Sequence, residues 1–211
     1  MQDLIRTIYL FLFKNQYLFW VFVLVVYGLL YGLNIDRIPS VLYDEAPYFD
    51  TAFQFFKTGS FNNVLGGYSG QQFVVYSFVL SCFFELLEPT FLTARLFSIV
   101  CGAIAVCLWG LICRRCQFTF TATILTTLFL VFSNISFVIF RIIRPEAFQV
   151  VMLLSLIYAY LCLKDSRKVI GWIFLGVLAA VVFFTHPICS LLVGGCGILL
   201  VVDLVKNSKI N

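Results

Sequence analysis

An all-α fold, a polytopic bundle of transmembrane helices, is what three observations predict. The chain is 62% hydrophobic and only 11% charged over 211 residues, with a mean hydropathy of +1.03, a composition that no water-soluble globular domain approaches. Its apolar residues fall in unbroken runs, each near the roughly 20 residues that a helix needs to cross a hydrocarbon core about 30 Å thick. The runs do not alternate in short polar and apolar steps, as barrel strands do, and lipid leaves the helix as the structure that pairs its own backbone.

Runs near 17–33, 96–113, 121–140, 147–163, 169–185 and 188–205 give about six spans. The first is expected to stay in the membrane: it is long for a signal peptide, carries Tyr17, Trp20, Tyr27 and Tyr31 as interface anchors, and has no small-residue cleavage site after it. A shorter run, 73–87, starts at Gln71 and Gln72, ends at Glu85 and Glu88, and has no flanking Lys or Arg. It is read as a re-entrant or interfacial helix. The basic residues Arg6 and Lys14, Arg114 and Arg115, Lys164, Arg167 and Lys168, and Lys206 and Lys209 are all cytoplasmic by the positive-inside rule only if one segment between Lys14 and Arg114 does not cross. With 73–87 as that segment, the loop 34–95, the turn from Arg141 to Glu146, and Thr185-His186-Pro187 all fall on the external face. A single membrane domain over 1–211 results: a first span 17–33, an external loop 34–95 with surface helices, and a bundle 96–205.

Within the external loop, Phe49, Ala52, Phe53 and Phe56 keep helical spacing and Gly59 stands where a left-handed residue ends a helix. A short amphipathic surface helix is predicted. Asp44 precedes it, with Glu45 and Pro47 in the first turn, and is read equally as an N-cap with no chemical task or as a functional carboxylate. Gly66, Gly67 and Gly70 form a flexible linker without the Lys-Ser/Thr of a phosphate-binding loop.

The net charge of +4 is scattered over segment ends, which excludes a nucleic-acid patch. Most of the eight cysteines lie in apolar runs, where a thiol acts as a small hydrophobe, and Cys113 and Cys116 alone make a CxxC, weak grounds for zinc. Arg95 starts a span on the external side, and pairing with Glu85 or Glu88 is expected ahead of service to a site. The sole histidine, His186, is either an interface residue or a phosphate or acceptor contact. Gly28 and Gly32 match the small-xxx-small helix-packing motif, and Gly194, Gly195 and Gly197 read the same way. Asn134-Ile135-Ser136 matches a glycosylation sequon but lies inside an apolar run.

One span, then Asp44-Glu45, an amphipathic stretch ending Lys57-Thr58-Gly59, and an apolar segment leading to Thr93-Ala94-Arg95-Leu96 resembles the polyprenyl- and dolichyl-phosphate-sugar-dependent membrane glycosyltransferases of the protein mannosyltransferase and aminoarabinose transferase type. Arg141-Ile142-Ile143-Arg144-Pro145-Glu146 resembles the Ser-Arg-x-x-Arg-Pro-Asp stretch of that superfamily. The order and separations agree along nearly the whole chain, taken as the amino-terminal module of such an enzyme, truncated or minimal. Where members often carry Lys-Pro-Pro, this chain has Ser69-Gly70-Gln71-Gln72.

The resemblance implies inverting transfer of a sugar from a polyprenyl-phosphate donor to a lipid, glycan or protein acceptor at the outer membrane face. Asp44 is then the general base and Glu45 orients it or supports a neighbour. Arg144, with Arg141 in support and His186 as a third candidate, holds the carrier phosphate. No cofactor is expected, although Asp44 and Glu146 are the residues that a divalent cation would use. A bacterial plasma membrane is favoured. Two other readings stay open: a non-catalytic subunit or fragment that binds a lipid phosphate through the same face, and, less well supported, a transporter. Against the transporter, the ionisable residues gather at helix ends and no paired interrupted helices suggest repeats.

Overall fold

A computed structural model describes residues 16–37, 39–40, 44–61, 74–164, 169–185 and, near the C-terminus, 191, 193–195, 197 and 198. Among the described residues the helix is the only regular secondary structure. The elements are α1 (Gln16–Gly32), α2 (Glu45–Thr58), α3 (Val74–Phe84), α4 (Phe91–Arg115), α5 (Phe120–Phe132), α6 (Asn134–Ile139), α7 (Pro145–Leu163) and α8 (Val169–Thr185).

Two of these, α4 and α7, are long and apolar enough to cross a membrane, and they pack on each other as the centre of the bundle. Both start sharply. At α4 the Thr90 hydroxyl accepts the Thr93 N–H at 3.1 Å, and at α7 Pro145 occupies the first turn, where its missing N–H costs nothing. The two helices run in parallel, since Arg115 at the end of α4 donates to the Leu161 carbonyl near the end of α7 at 3.1 Å.

Around this pair lie α1, α5 and α8, apolar helices too short to satisfy the same length test. One face of α1, with Val21, Phe22, Val25 and Leu29, is exposed. The other carries Phe19, Val23, Tyr27 and Tyr31 into the core, the division expected of a helix between lipid and protein. Tyr27 and Tyr31 stack at 4.2 Å and spend their hydroxyls on the Ile99 carbonyl of α4 and the Val131 carbonyl of α5. Small residues on α4 admit α1: a β-carbon on Gly102 would stand 1.9 Å from the Tyr27 hydroxyl, and one on Gly110 would stand 2.5 Å from the Trp20 ring. Gly28 and Gly32, which the packing motif singles out, have no described atom within 4 Å of such a carbon. The close approach therefore uses glycines of α4 to receive aromatic rings of α1, and the motif's helix face is not the packed one.

The run 121–140 is not one continuous helix. It breaks at Ser133, whose extended backbone ends α5 and whose hydroxyl caps α6, accepting the Ser136 N–H at 3.1 Å. The short run is helical over the 11 residues of α3, about 16 Å at 1.5 Å per residue, half the thickness of a hydrocarbon core. Helix α2 has the predicted amphipathic build. Ala52 is buried, Phe49, Phe53 and Phe56 pack on the core, and Gly59 closes the helix at φ 69° with its N–H on the Phe55 carbonyl. Its apolar face lies against α3, with Phe49 and Phe56 edge-on to Phe84. The run 188–205 falls mostly outside the described residues.

Candidate functional site

The site gathers where α2, α4 and α7 begin, and an ion pair buried from solvent organises it. Arg95, in the second turn of α4, meets Glu45, the first residue of α2, with both ends of the guanidinium fork: Nε donates to Oε1 at 3.0 Å and Nη2 to Oε2 at 2.7 Å. The side chains are 2% and 0% exposed. Nη1 of Arg95 also donates to the carbonyls of Ile35 and Pro39 at 2.8 and 2.9 Å, which ties down the chain between α1 and α2. Glu45 Oε1 in turn accepts the backbone N–H of Ile143 at 2.9 Å. The loop before α7 is held a second time by Ser98 of α4, whose hydroxyl donates to the Ile142 carbonyl at 2.6 Å. A buried charge is tolerated only when it is paired and its remaining lone pairs are used, and here both conditions hold. Arg95 therefore pairs with Glu45 and not with Glu85 or Glu88.

The consequence for chemistry lies in the neighbours. Asp44 precedes Glu45 and Arg144 follows Ile143, so the Glu45 carboxylate links the residue after one candidate to the residue before the other. Asp44 is exposed and makes no capping hydrogen bond, so the capping role does not consume it. Arg144, a third exposed, pairs with Glu146 at 2.6 Å. The charges of Glu146, Arg144 and Asp44 all reach the Tyr48 hydroxyl. Burial, reinforced by Glu146, pushes the Tyr48 hydroxyl above its ordinary pKa, with Arg144 opposing. Tyr48 is thus a neutral donor at physiological pH.

Arg141 stands apart from this group. It is 2% exposed, and its amino groups donate to the Leu30 and Leu33 carbonyls at 2.9 and 2.7 Å, while its guanidinium lies 4.8 Å from the centre of the Phe137 ring. Those carbonyls are the orphan acceptors at the end of α1, where a cation is favoured. In this structure Arg141 is a helix-capping residue, so its expected support for Arg144 as a phosphate contact is not what the geometry provides. His186 lies outside the described residues; α8 ends at a buried Thr185. Among the described residues no three of His, Cys, Asp and Glu come together as a metal site, and Glu146, one of the pair named for a divalent cation, is already engaged by Arg144. That donor set fits a cation poorly.

Two residues of the site escape a sequence reading, Tyr48 and Tyr76. Tyr48 carried a signal, since it stands four residues after Asp44 and so shares its helix face. Tyr76 did not: it sits in the apolar run of α3, yet it is fully buried with its ring 6.2 Å from that of Tyr48, and its hydroxyl lies within electrostatic reach of Glu146, Tyr48 and Glu45.

Residues 72–210 match the family model described as dolichyl-phosphate-mannose-protein mannosyltransferase. The match takes in Tyr76, Arg95, Arg141, Arg144 and Glu146 and begins after Asp44, Glu45 and Tyr48. No curated protein and no solved structure matches the chain.

Proposed function

Because the chain belongs to the dolichyl-phosphate-mannose-protein mannosyltransferase family, and so to the membrane glycosyltransferases that use a lipid-linked sugar, we propose that it transfers a sugar from a polyprenyl-phosphate carrier with inversion, and that Asp44 is the general base. The observation that carries this reading is the Glu45 bridge, which joins the start of α2, next to Asp44, to the residue before Arg144. The acceptor hydroxyl attacks the anomeric carbon from the face opposite the phosphate. As the new C–O bond forms, the bond from the anomeric carbon to the phosphate oxygen breaks, polyprenyl phosphate departs with the bonding pair, and Asp44 takes the acceptor proton.

Arg144 offsets the charge that grows on the departing phosphate. Arg144 is only a third exposed, and in such a site the contact is stronger than in water. An apolar groove of about 430 Å³ between α3 and α8, lined by Val74, Val75, Val177, Ala180, Val181 and Phe184, suits isoprenoid units of the carrier. The acceptor is a lipid, a glycan or a protein. About six spans, an external active site and a bacterial plasma membrane complete the proposal.

A comparison of two variants in lipid tests the division of labour. Asp44→Asn is expected to lower transfer at least about 100-fold, the usual worth of a general base, and to leave polyprenyl-phosphate binding within about twofold. Arg144→Ala is expected to weaken carrier binding about tenfold or more, the worth of one charge-assisted hydrogen bond. If neither the wild type nor Asp44→Asn transfers sugar while Arg144→Ala still loses the carrier, the chain is a lipid-phosphate-binding subunit and not the enzyme.

A further inference from the structure

Three polar atoms around the site are buried without a hydrogen-bond partner: the Tyr76 hydroxyl, Nε of Arg144 and Oε2 of Glu146. Each is costly to bury in that condition. Tyr76 is fully buried, Arg144 and Glu146 are joined at 2.6 Å through their other atoms, and the Tyr76 hydroxyl lies within electrostatic reach of Glu146. All three therefore gather where α2, α3 and the head of α7 meet.

Their donor and acceptor pattern says what would satisfy them. Nε–H of Arg144 can only donate, the carboxylate oxygen of Glu146 can only accept, and the Tyr76 hydroxyl can donate. A phosphodiester would suit the two donors but has no proton to offer Glu146 and is repelled by it. A hydrocarbon satisfies none of them. An alcohol hydroxyl, with one proton and two lone pairs, satisfies all three. We infer that Tyr76, Arg144 Nε and Glu146 Oε2 form a subsite that binds a sugar hydroxyl. This rests on the glycosyl-transfer reading and adds to it which residues hold the sugar: the outer amino groups of Arg144 serve the phosphate while its Nε serves the glycosyl group. The hydroxyl belongs either to the donor's sugar or to a sugar acceptor, and the two bind through the same chemistry.

The test uses the full chain in lipid nanodiscs with three probes: dolichyl phosphate, dolichyl-phosphate mannose and methyl α-mannoside. Tyr76→Phe keeps the ring and removes the hydroxyl. The variant is expected to bind a mannose-bearing probe about tenfold more weakly, the worth of one hydrogen bond to a charged network, and to bind dolichyl phosphate as the wild type does. Its Tm should not fall, because the deleted hydroxyl has no protein partner to lose. A loss confined to dolichyl-phosphate mannose assigns the hydroxyl to the donor; one seen with methyl α-mannoside assigns it to an acceptor. Glu146→Gln, which keeps the shape, should also weaken the mannose-bearing probe selectively. Equal weakening of dolichyl phosphate and dolichyl-phosphate mannose in Tyr76→Phe, or no weakening of either mannose probe, overturns the subsite and leaves the carrier-binding reading standing. Wild-type protein that binds none of the three probes overturns both.

Discussion

Arg95 and Glu45 show how a single buried pair can decide where a reaction takes place. Glu45 receives two bonds from the guanidinium and one from the Ile143 amide, so its removal would release both the start of α2 and the loop before α7. Removing Arg95 would strand a buried carboxylate. Arg95→Ala is therefore expected to destabilise the protein by about 3–5 kcal/mol, measured by thermal unfolding in lipid. Arg95→Lys should recover only part, since an ammonium cannot make the bidentate contact. Arg144→Ala, at a partly exposed pair, should cost less than about 1 kcal/mol. The sequence showed that Arg95 was out of place for a charge-bias rule, but sequence proximity pointed to Glu85 and Glu88. The true partner is 50 residues away, a distance that only the packing of α2 on the bundle closes. For the same reason Asp44 was visible as a carboxylate at a helix start, whereas Tyr76, inside a uniformly apolar run, was not legible as a site residue.

At the level of helices, the apolar runs located the elements, and the absence of Pro or Gly hid the break at Ser133. The signal there was a serine followed three residues later by another, a capping arrangement inside a greasy stretch. Glycine carried a misleading message on α1 and an unread one on α4. Because Gly102 receives the Tyr27 hydroxyl and the Phe140 ring, Gly102→Ala is expected to cost about 1–3 kcal/mol through overpacking. Gly28→Ala, with open space around it, should be neutral or slightly stabilising by helix propensity. Paired Tm measurements on the two variants check the contrast; equal losses would mean that α1 packs through its Gly28 face after all.

Across the whole molecule, charge separates by end. From Arg95 to Arg115 along α4 is 20 residues, or about 30 Å at 1.5 Å per residue, which matches the thickness of a hydrocarbon core. Glu45, Asp44, Arg144 and Glu146 cluster at one end, and Arg114, Arg115 and Lys164 mark the other. If the basic end faces the cytoplasm, Cys116, exposed in the turn after α4, should react with an impermeant maleimide only from the cytoplasmic side of sealed vesicles. An Asp36→Cys variant should react only from the outside. Reversal of the two would invert the proposed orientation without moving the site within the fold. This separation of charge was readable in the sequence as basic clusters and polar turns; the convergence of those turns upon one ion pair was not, because it depends on tertiary contacts among three helix starts.

The most direct test of the central claim, that Asp44 is the general base of sugar transfer, is mannosyl transfer from dolichyl-phosphate mannose by the full chain in proteoliposomes, with wild type and Asp44→Asn compared at equal protein. Product formation by the wild type that falls at least about 100-fold in the variant, with the variant's Tm unchanged, is the predicted result. Equal product from the two proteins would contradict the claim and move the general base away from Asp44.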